Sequence, residues 1–283
     1  MPRPSSSARR AASRSPARKS ATTQWLTGLH CVREALRARR RRLELLQVRA
    51  GSSRDEHREL VELAASAGVA VEDVADRELE ARGGGDSNPQ GVALRVGPLP
   101  ELSLDALAEA AGGLGPGSRL LALDGVEDPQ NVGAVARVAE SAGVRGLVLT
   151  QRRSPPLSPT VSRASTGAIE WLPVARVPNL GRALAQLQEW DYWVVAASRE
   201  AGQRLYEMED RLLSGQLVVV LGAEGRGIRP SIAERADYRV EIPMMGRIDS
   251  LNVSTAGAVI LYELLRRELA REDETRGDEE SAP

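Results

Sequence analysis

The chain has 283 residues, of which 42% are apolar, and a formal net charge of −1. This size and apolar content allow one large domain or two ordinary ones, each with its own core. The only cysteine, Cys31, excludes an intrachain disulfide and a cysteine-based metal cluster, and the only histidines, His30 and His57, lie in the first quarter. We therefore expect no bound metal and no histidine-dependent mechanism.

The two ends of the chain differ in charge. Residues 1–23 carry six basic side chains and no acidic one, whereas residues 271–283 are rich in acidic side chains. Both ends lack large apolar groups, so we predict that both are disordered. The basic tail has three interpretations, which are an RNA contact, an inert extension and an organellar address. No apolar run is long enough to span a membrane, and we expect a cytoplasmic protein.

The first part of the chain alternates between helix and strand patterns, which predicts a small α/β domain over residues 24–97. In chain order we predict a helix at 28–42, a strand at 43–49, a helix at 55–68, and strands at 69–74 and 91–96. Residues 98–117 are rich in proline and glycine and are interpreted as a linker, within which "LSLDALAEAA" is a possible helix.

From residue 118 to about 270 the alternation indicates a second, larger α/β domain. The predicted strands are 119–125, 146–151, 171–177, 192–198, 217–224 and 238–244, and the predicted helices are 131–143, 179–190, 229–236 and one that follows Asn252. Continuous Val/Leu strands separated by helices predict a mostly parallel sheet with both faces covered. Ligands of such sheets bind at the carboxyl ends of the strands.

Three polar loops follow predicted strands and would share that edge. They are "VEDPQNVG" (126–133), "AEGRGIRP" (223–230) and "MGRIDSLN" (245–252). Taken singly, Asn131 could be a helix cap, Glu224 a solvated acid and Arg137 a surface residue, and Ser250 or Asn252 could cap the last helix. Together the loops predict a site for a neutral or cationic ligand with an adenine-like edge. Neither G-x-G-x-x-G after the first strand nor a P-loop occurs, which disfavours nicotinamide and ATP enzymes.

The segments that contain these loops resemble the motifs of a known enzyme family. "DPQNVGAVARVAESAG", "VLGAEGRGI" and "VEIPMMGRIDSLNVSTAGAVILYE" resemble the three motifs of the SpoU (TrmH) family of RNA ribose 2'-O-methyltransferases, and "SPTVSRASTGAIEWLPV" also fits the family. "GLHCVREAL" and "NPQGVALRV" are similar to the RNA-binding domain of family members that methylate 23S rRNA. The resemblance implies a catalytic domain of the SPOUT type with a carboxyl-terminal trefoil knot, S-adenosylmethionine as cofactor, and a homodimer.

The resemblance also implies roles for individual residues. Arg137 matches the catalytic arginine, either as a literal base or as a cation that positions phosphate and stabilises the forming alkoxide, and we favour the cation. The remaining implied residues are catalytic Asn131, Glu224 and Asn252; cofactor-binding Gly222, Ile242, Met244, Ser250 and Leu251; and RNA-binding Arg137, Arg152 and Arg163.

An RNA substrate agrees with the basic run "RARRRR" (37–42), although arginines at a helix end are often only dipole partners. The chain is 3% aromatic and has no Phe, so phosphate contacts rather than base stacking should dominate. We expect 23S rRNA guanosine as target, with a tRNA guanosine or an rRNA adenosine as alternatives. An alternative of another class is a non-catalytic RNA-binding factor in ribosome assembly.

Overall fold

The computed structural model describes residues 23–83, 89–111, 118–199, 203–209 and 215–281. The predicted basic tail lies outside these residues except for Thr23. Two separate sheets form, one from residues 24–96 and one from residues 119–240. Within the described residues, no helix combines the length and the apolar character needed to cross a membrane.

The first sheet has four strands in the order β1-β4-β2-β3, of which only β2 and β3 are parallel. Its elements are β1 (Gln24–Thr27), α1 (Leu29–Ala38), β2 (Leu43–Arg49), α2 (Asp55–Ser66), β3 (Ala70–Val74), α3 (Asp76–Gly83) and β4 (Val92–Val96). Helices α1 and α2 cover one face with an apolar core, and Leu79 of α3 covers the other face beside Trp25.

Three details of this domain differ from the sequence prediction. Strand β1 and helix α3 were not predicted, because β1 has four residues and α3, "DRELEARG", lacks an apolar period. Helix α1 ends at Ala38 rather than at Arg42, because Arg39 adopts the left-handed conformation with φ 50°. Arg39 to Arg42 therefore leave the helix and become available for contacts with the second domain.

The second sheet has six strands in the order β10-β8-β9-β5-β6-β7, and every pair is parallel, as predicted. The strands are β5 (Arg119–Asp124), β6 (Gly146–Thr150), β7 (Val174–Val177), β8 (Tyr192–Ala197), β9 (Gln216–Gly222) and β10 (Tyr238–Val240). The helices are α4 (Leu104–Ala110), α5 (Pro129–Ser141), α6 (Pro159–Ala164), α7 (Leu180–Glu189), α8 (Pro230–Ala233) and α9 (Val253–Ser281), with 3-10 turns at Ala168–Glu170 and Leu205–Glu207.

Alternate residues of each strand feed two apolar layers on opposite faces of the sheet. Leu121 and Leu123 of β5 pack with α5, α6 and α9, whereas Leu120 and Ala122 pack with α4, α7 and α8. Both faces are therefore covered, as the continuous apolar strands predicted. This arrangement leaves the carboxyl edge of the sheet as the place where polar loops gather.

Part of the predicted linker belongs to the second domain. Leu99 lies in one apolar layer, Leu104 and Leu107 of α4 lie in the other, and Leu102 pairs with Ala175 as a short bridge beside β7. The recurring leucines of this segment provide buried area that a free linker would not need. Residues 112–117 lie outside the described residues.

The structure also differs from the prediction of a disordered acidic tail, because helix α9 extends to Ser281. Residues 271–281 form the end of α9 and contain no proline and only one glycine, Gly277. Their glutamates and arginines are good helix formers, so nothing in the local sequence ends the helix before Ser281.

A buried ion pair joins the two domains. Arg41 of the first domain and Glu170 of the second are each only 1% exposed, and the Arg41 guanidinium donates two hydrogen bonds to the Glu170 carboxylate. The Ser162 hydroxyl donates to the same carboxylate at 2.6 Å. Next to this pair, Arg40 donates to the carbonyl oxygen of Leu172 at 2.8 Å. Two arginines of the basic run are thus structural, which weakens that run as a signal for RNA.

We predict that Arg41→Ala destabilises the protein much more than a matched surface change. The substitution leaves the buried Glu170 carboxylate without its cation, which costs about 3–5 kcal/mol. Arg42→Ala is the control, because the Arg42 side chain is 63% exposed and its ion pair with Glu44 contributes about 0–1 kcal/mol. Denaturant unfolding measures both changes in the free energy of unfolding. Equal losses in the two variants would contradict the structural role of the Arg41 pair.

Candidate active site

A cavity opens at the carboxyl ends of β8, β9 and β10. Every residue predicted to bind the cofactor lines it: Gly222, Ile242, Met244, Ser250 and Leu251. Its lining combines apolar side chains with a few polar ones, which is the usual composition of a small-molecule site. Segments that are far apart in the sequence thus form one pocket, because parallel strands end at the same edge.

Gly222 makes this cavity possible. At the end of β9 the chain turns back on itself, with the Gly227 amide donating to the Ala223 carbonyl at 2.8 Å. A Cβ on Gly222 would overlap the backbone of Gly227 and Ile228. Only glycine allows this approach, so Gly222 fixes the path of the loop that forms one wall of the cavity.

Arg199, which follows β8, ties two walls of the cavity together. Its guanidinium donates to the Gly225 carbonyl at 3.1 Å and to the Asp249 carboxylate at 3.3 Å. Gly225 belongs to the loop after β9, and Asp249 belongs to the segment before α9. The sequence analysis assigned no role to Arg199 or Asp249. Arg199 could have been found, because it is a polar residue that follows a parallel strand and therefore lies at the same edge of the sheet.

Asn252 is the centre of a polar hub beside the cavity. Its amide nitrogen donates to the Asn131 side-chain oxygen at 3.1 Å and also to the Glu224 carboxylate. Its side-chain oxygen accepts a bond of 2.8 Å from the amide of Ser254, and so caps the last helix. These partners settle the orientation of the amide, since a flipped amide would place its oxygen against Glu224. The structure therefore joins three of the four predicted catalytic residues directly.

Asn131 is not the helix cap that one interpretation gave it. Asp128 caps α5, and its carboxylate accepts a hydrogen bond from the Gln130 amide at 3.0 Å. Asn131 is half-buried in the first turn of α5, and its side chain contributes to the hub instead.

Arg137 lies six residues further along α5, which is about 9 Å along the helix axis. It is exposed, and its guanidinium donates to the Thr166 hydroxyl at 3.0 Å. Thr166 has φ +54°, an uncommon conformation for a β-branched residue, and the next residue, Gly167, lies against Glu34 of α1. Arg137 is therefore held at the junction of the two domains and is not part of the cavity lining.

The other two predicted RNA contacts lie in different surroundings. Arg163 is half-buried, and its guanidinium donates to Thr27 of the first domain at 3.4 Å. Arg152 is exposed and lines a second cleft at the ends of β5, β6 and β7, together with Arg153, Arg229 and Arg235. The sequence analysis did not predict that these four arginines converge.

Other candidates for chemistry are unsuited to it. Burial, together with the nearby Glu170 carboxylate, raises the pKa of the Cys31 thiol well above its ordinary value, so the thiol is not poised as a nucleophile. Within the described ranges, no group of three or more His, Cys, Asp or Glu side chains has the geometry of a metal site.

We predict that Gly222→Ala weakens binding of S-adenosylmethionine, the cofactor that the motifs imply, by at least about tenfold. The added methyl group forces the backbone of the loop after β9 to move, and overpacking of this kind costs about 1–3 kcal/mol. Gly246→Ala is the control, because a Cβ at Gly246 meets no atom within 4 Å. Calorimetry measures both affinities, and unchanged binding by Gly222→Ala would remove this loop from the cofactor site.

Comparison with known proteins agrees with this geometry. The SpoU rRNA Methylase family matches residues 118–262, and the family described as RNA 2'-O ribose methyltransferase substrate binding matches residues 25–102. The chain is 38% identical over 250 residues to the 23S rRNA (guanosine-2'-O-)-methyltransferase RlmB of Pseudomonas aeruginosa, which covers 87% of this chain and 98% of the relative. The RlmB of Vibrio vulnificus is 36% identical over 253 residues, covering 88% and 99%.

A solved structure shows the same fold. The AdoMet-bound rRNA methyltransferase of Sinorhizobium meliloti superposes with a TM-score of 0.68 at 25% identity, covering 86% of this chain and 87% of that one. Both the sequence relatives and this structure extend across the two domains. The chain therefore belongs to the SpoU rRNA methylase family of RNA 2'-O-ribose methyltransferases.

Proposed function

We propose that the protein transfers a methyl group from S-adenosylmethionine to the ribose 2'-hydroxyl of a guanosine in 23S rRNA, in the cytoplasm. The observation that carries this proposal is the hub of Asn131, Glu224 and Asn252 at the rim of a cavity that contains every predicted cofactor residue. The relatives named for 23S rRNA match nearly their whole length, including the first domain. That coverage favours rRNA over the alternative targets.

The cavity fits S-adenosylmethionine chemically. Ile242, Leu251 and Val240 provide an apolar surface for the adenine ring, and the turn at Gly222 exposes backbone groups that recognise its edge. Glu224 and Asp249 line the cavity and provide negative charge near a cationic sulfonium. Of the residues that the structure describes, Arg199 is the one arginine that lines it, and its guanidinium donates to the Asp249 carboxylate and the Gly225 carbonyl. When bound, S-adenosylmethionine would supply an electrophilic methyl group.

The residues of this chain would then orient the ribose and stabilise the charge that develops on it. The 2'-hydroxyl is a very weak acid, so negative charge develops on its oxygen as the new bond forms. Arg137 contributes a fixed positive charge held by Thr166, and it binds a neighbouring phosphate in the two-pronged geometry of a guanidinium. Arginine is a poor base because its pKa exceeds ~12. We therefore assign Arg137 as a positioning and stabilising cation.

The hub supports this reaction by holding a carboxylate in place. Asn252 orients Glu224, and Asn252 is itself fixed by the cap that it forms on α9. Glu224 thus belongs to both the hub and the cavity lining, where it can accept a hydrogen bond from the ribose. Arg152 is proposed as an RNA contact, and Arg163, which donates to Thr27, stays a prediction in that role.

The trefoil knot is part of this proposal. The loop after β9 and the segment before α9 line the same cavity, and Gly257 of α9 packs back against Leu221 of β9. A last helix that passes through a loop formed by earlier strands would explain why these segments come so close together. A crystal structure with continuous density over residues 190–270 tests the threading directly.

A homodimer is also proposed, because large apolar side chains remain exposed in the single chain. Met245 is 95% and Ile248 is 71% exposed in the segment before α9, and Tyr262 and Leu269 of α9 are about half exposed. Groups of this kind commonly mark a protein interface. The segment also borders the cofactor cavity, so a partner that covered it would complete the site.

We predict that the purified protein methylates one guanosine of a 23S rRNA transcript and that Arg137→Ala does so at least about a hundredfold more slowly. The lost charge-assisted contact acts on the transition state and is equivalent to ~3 kcal/mol. Cofactor affinity should stay close to wild type, because Arg137 is not part of the cavity lining. Arg137→Lys should rescue little, since an ammonium lacks the planar fork.

Single-turnover assays with mapping of ribose methylation measure both the rate and the position. Arg145→Ala is the control, as Arg145 is exposed at the opposite edge of the sheet. Methylation of tRNA, or of an rRNA adenosine, would replace the proposed target. A wild-type protein that binds RNA but never methylates it would favour the assembly-factor alternative.

We further predict a particle of about twice the chain mass of 30.4 kDa in light scattering. Ile248→Glu should shift the protein toward the monomer, because it places a charge in the proposed interface. Glu234→Gln is the control, since Glu234 is exposed on the helical turn after α8. A wild-type monomer that is fully active would refute the dimer.

A further inference from the structure

The second cleft, at the ends of β5, β6 and β7, is a basic concavity beside the candidate active site. Its lining includes four arginines, which are Arg152, Arg153, Arg229 and Arg235. Within the part of the chain that the structure describes, Asp124 is the only acidic side chain in its lining, so the described lining side chains carry a net charge of +3. A concavity with this charge attracts anions.

Three of these arginines differ from the fourth in their contacts. Among the described residues, no carboxylate forms an ion pair with Arg152, Arg153 or Arg235. Arg229 differs, because its guanidinium and backbone amide both bind the buried Asp124 carboxylate. Hydrogen bonding to Asp124 raises the pKa of the Arg229 guanidinium. Arg229 therefore organises the cleft, and the other three leave their charges available to a ligand.

Helix α7 adds to the positive electrostatic potential of the cleft. Its first residues, Leu180 and Gly181, line the cleft, and Asn179 caps the helix through a bond of 3.0 Å from the Arg182 amide. The positive end of the α7 dipole thus points toward the cleft, in addition to the arginines. Thr150 and Ser231 provide hydroxyl groups in the lining. Guanidinium, hydroxyl and helix N-terminus are together the groups that contact phosphate oxygens.

The cleft lies directly beside the cofactor cavity. Asp124, which lines the cleft, is paired in register with Gly222, which lines the cofactor cavity. The two cavities therefore open on either side of two adjacent strands, which are about 4.8 Å apart. Glu224 and the loop that leads to Asn131 lie at that boundary. A ribose held at the hub would have its neighbouring phosphates within reach of the arginines.

We infer that this cleft is the groove for the phosphodiester backbone of the substrate RNA strand, with Arg152, Arg153 and Arg235 as its phosphate contacts. The inference rests on the proposed function, because it places the strand relative to the reacting ribose. It divides the carboxyl edge of the sheet into a cofactor half and an RNA half. The arginines contact phosphates and not bases, so the groove sets the register of the strand without reading its sequence.

The test compares charge removal in the cleft with charge removal elsewhere. Arg152→Gln/Arg235→Gln removes two of the available charges and leaves the Arg229–Asp124 pair intact. The control, Arg145→Gln/Arg239→Gln, removes two exposed arginines that line neither cavity. The probe is a fluorescein-labelled single-stranded RNA of mixed sequence, and its affinity is measured by anisotropy over a series of salt concentrations.

We expect the cleft variant to bind this RNA at least about tenfold more weakly. A plot of the logarithm of its association constant against the logarithm of the salt concentration should be less steep than that of wild type, by about 1.5. Affinity for S-adenosylmethionine and the thermal midpoint should match wild type, which shows that the fold and the cofactor cavity are intact. The control should keep the wild-type slope. Arg152→Lys/Arg235→Lys should also keep most of it, because the charge remains.

A cleft variant with the wild-type slope would overturn the inference, as would a lysine variant that loses as much as the glutamine variant. Inorganic phosphate provides a further arm. One result of this arm is that inorganic phosphate binds wild type but not the cleft variant in calorimetry, while both proteins bind RNA with the same salt dependence. In that case the cleft is a site for free anions and the inference fails. Failure of the proposed function is separate: a wild-type protein that never methylates RNA, but whose RNA binding depends on the cleft arginines, leaves the inference standing.

Discussion

The buried carboxylate of Asp124 is the contact on which the carboxyl edge of the sheet depends. Asp124 ends β5, its side chain is 1% exposed, and it accepts hydrogen bonds from both the amide and the guanidinium of Arg229. Its backbone carbonyl accepts another from the Ala223 amide. The loop after β9 is thus held at its beginning and its end by one residue of the neighbouring strand. Without that hold, the two ends of the loop would lose their contacts with β5.

The same contact separates two electrostatic environments. On one side, Glu224 and Asp249 give the cofactor cavity a negative lining suited to a sulfonium cation. On the other side, three arginines without ion pairs give the cleft a positive lining suited to phosphate. Arg229 lies on the border with its charge partly balanced by Asp124. A cationic cofactor and an anionic polymer can therefore bind next to one another, because Arg199 in the cavity and Asp124 in the cleft are each paired with a residue of opposite charge.

Much of this arrangement was predictable from sequence, because it follows from periodicity and strand order. Continuous apolar strands predicted a parallel sheet, and the polar loops at 126–133, 223–230 and 245–252 were correctly placed at one edge. The hub was partly predictable, since the motifs implied Asn131, Glu224 and Asn252. Contacts between residues distant in sequence were not predictable. Arg199 reaches Gly225 and Asp249 across the cavity, and Arg41 reaches Glu170 across the domains, with no local signal in either case.

The basic residues show this limit most clearly. A run of arginines in sequence indicates positive charge but does not show whether the charge is available. In "RARRRR", Arg41 is buried against Glu170 and Arg40 donates to backbone carbonyls, so these two stabilise the domain contact. Arg152, Arg153 and Arg235 come from separate segments, and they converge only when the sheet forms. Whether an arginine is available to bind RNA depends on the folded surface. These three arginines of the cleft are therefore better candidates for RNA contacts than Arg40 and Arg41 of the run.

The hub also explains why an amide is suited to position 252. Asn252 must accept a hydrogen bond from the Ser254 amide to cap α9 and must donate to Glu224 at the same time. Aspartate would keep the cap but would place a second carboxylate against Glu224. Serine has only one proton to donate, whereas Asn131 and Glu224 both accept a hydrogen bond from residue 252. A short side chain with one acceptor and two donor protons meets both demands. The start of the last helix and the orientation of the candidate catalytic carboxylate therefore depend on the same side chain.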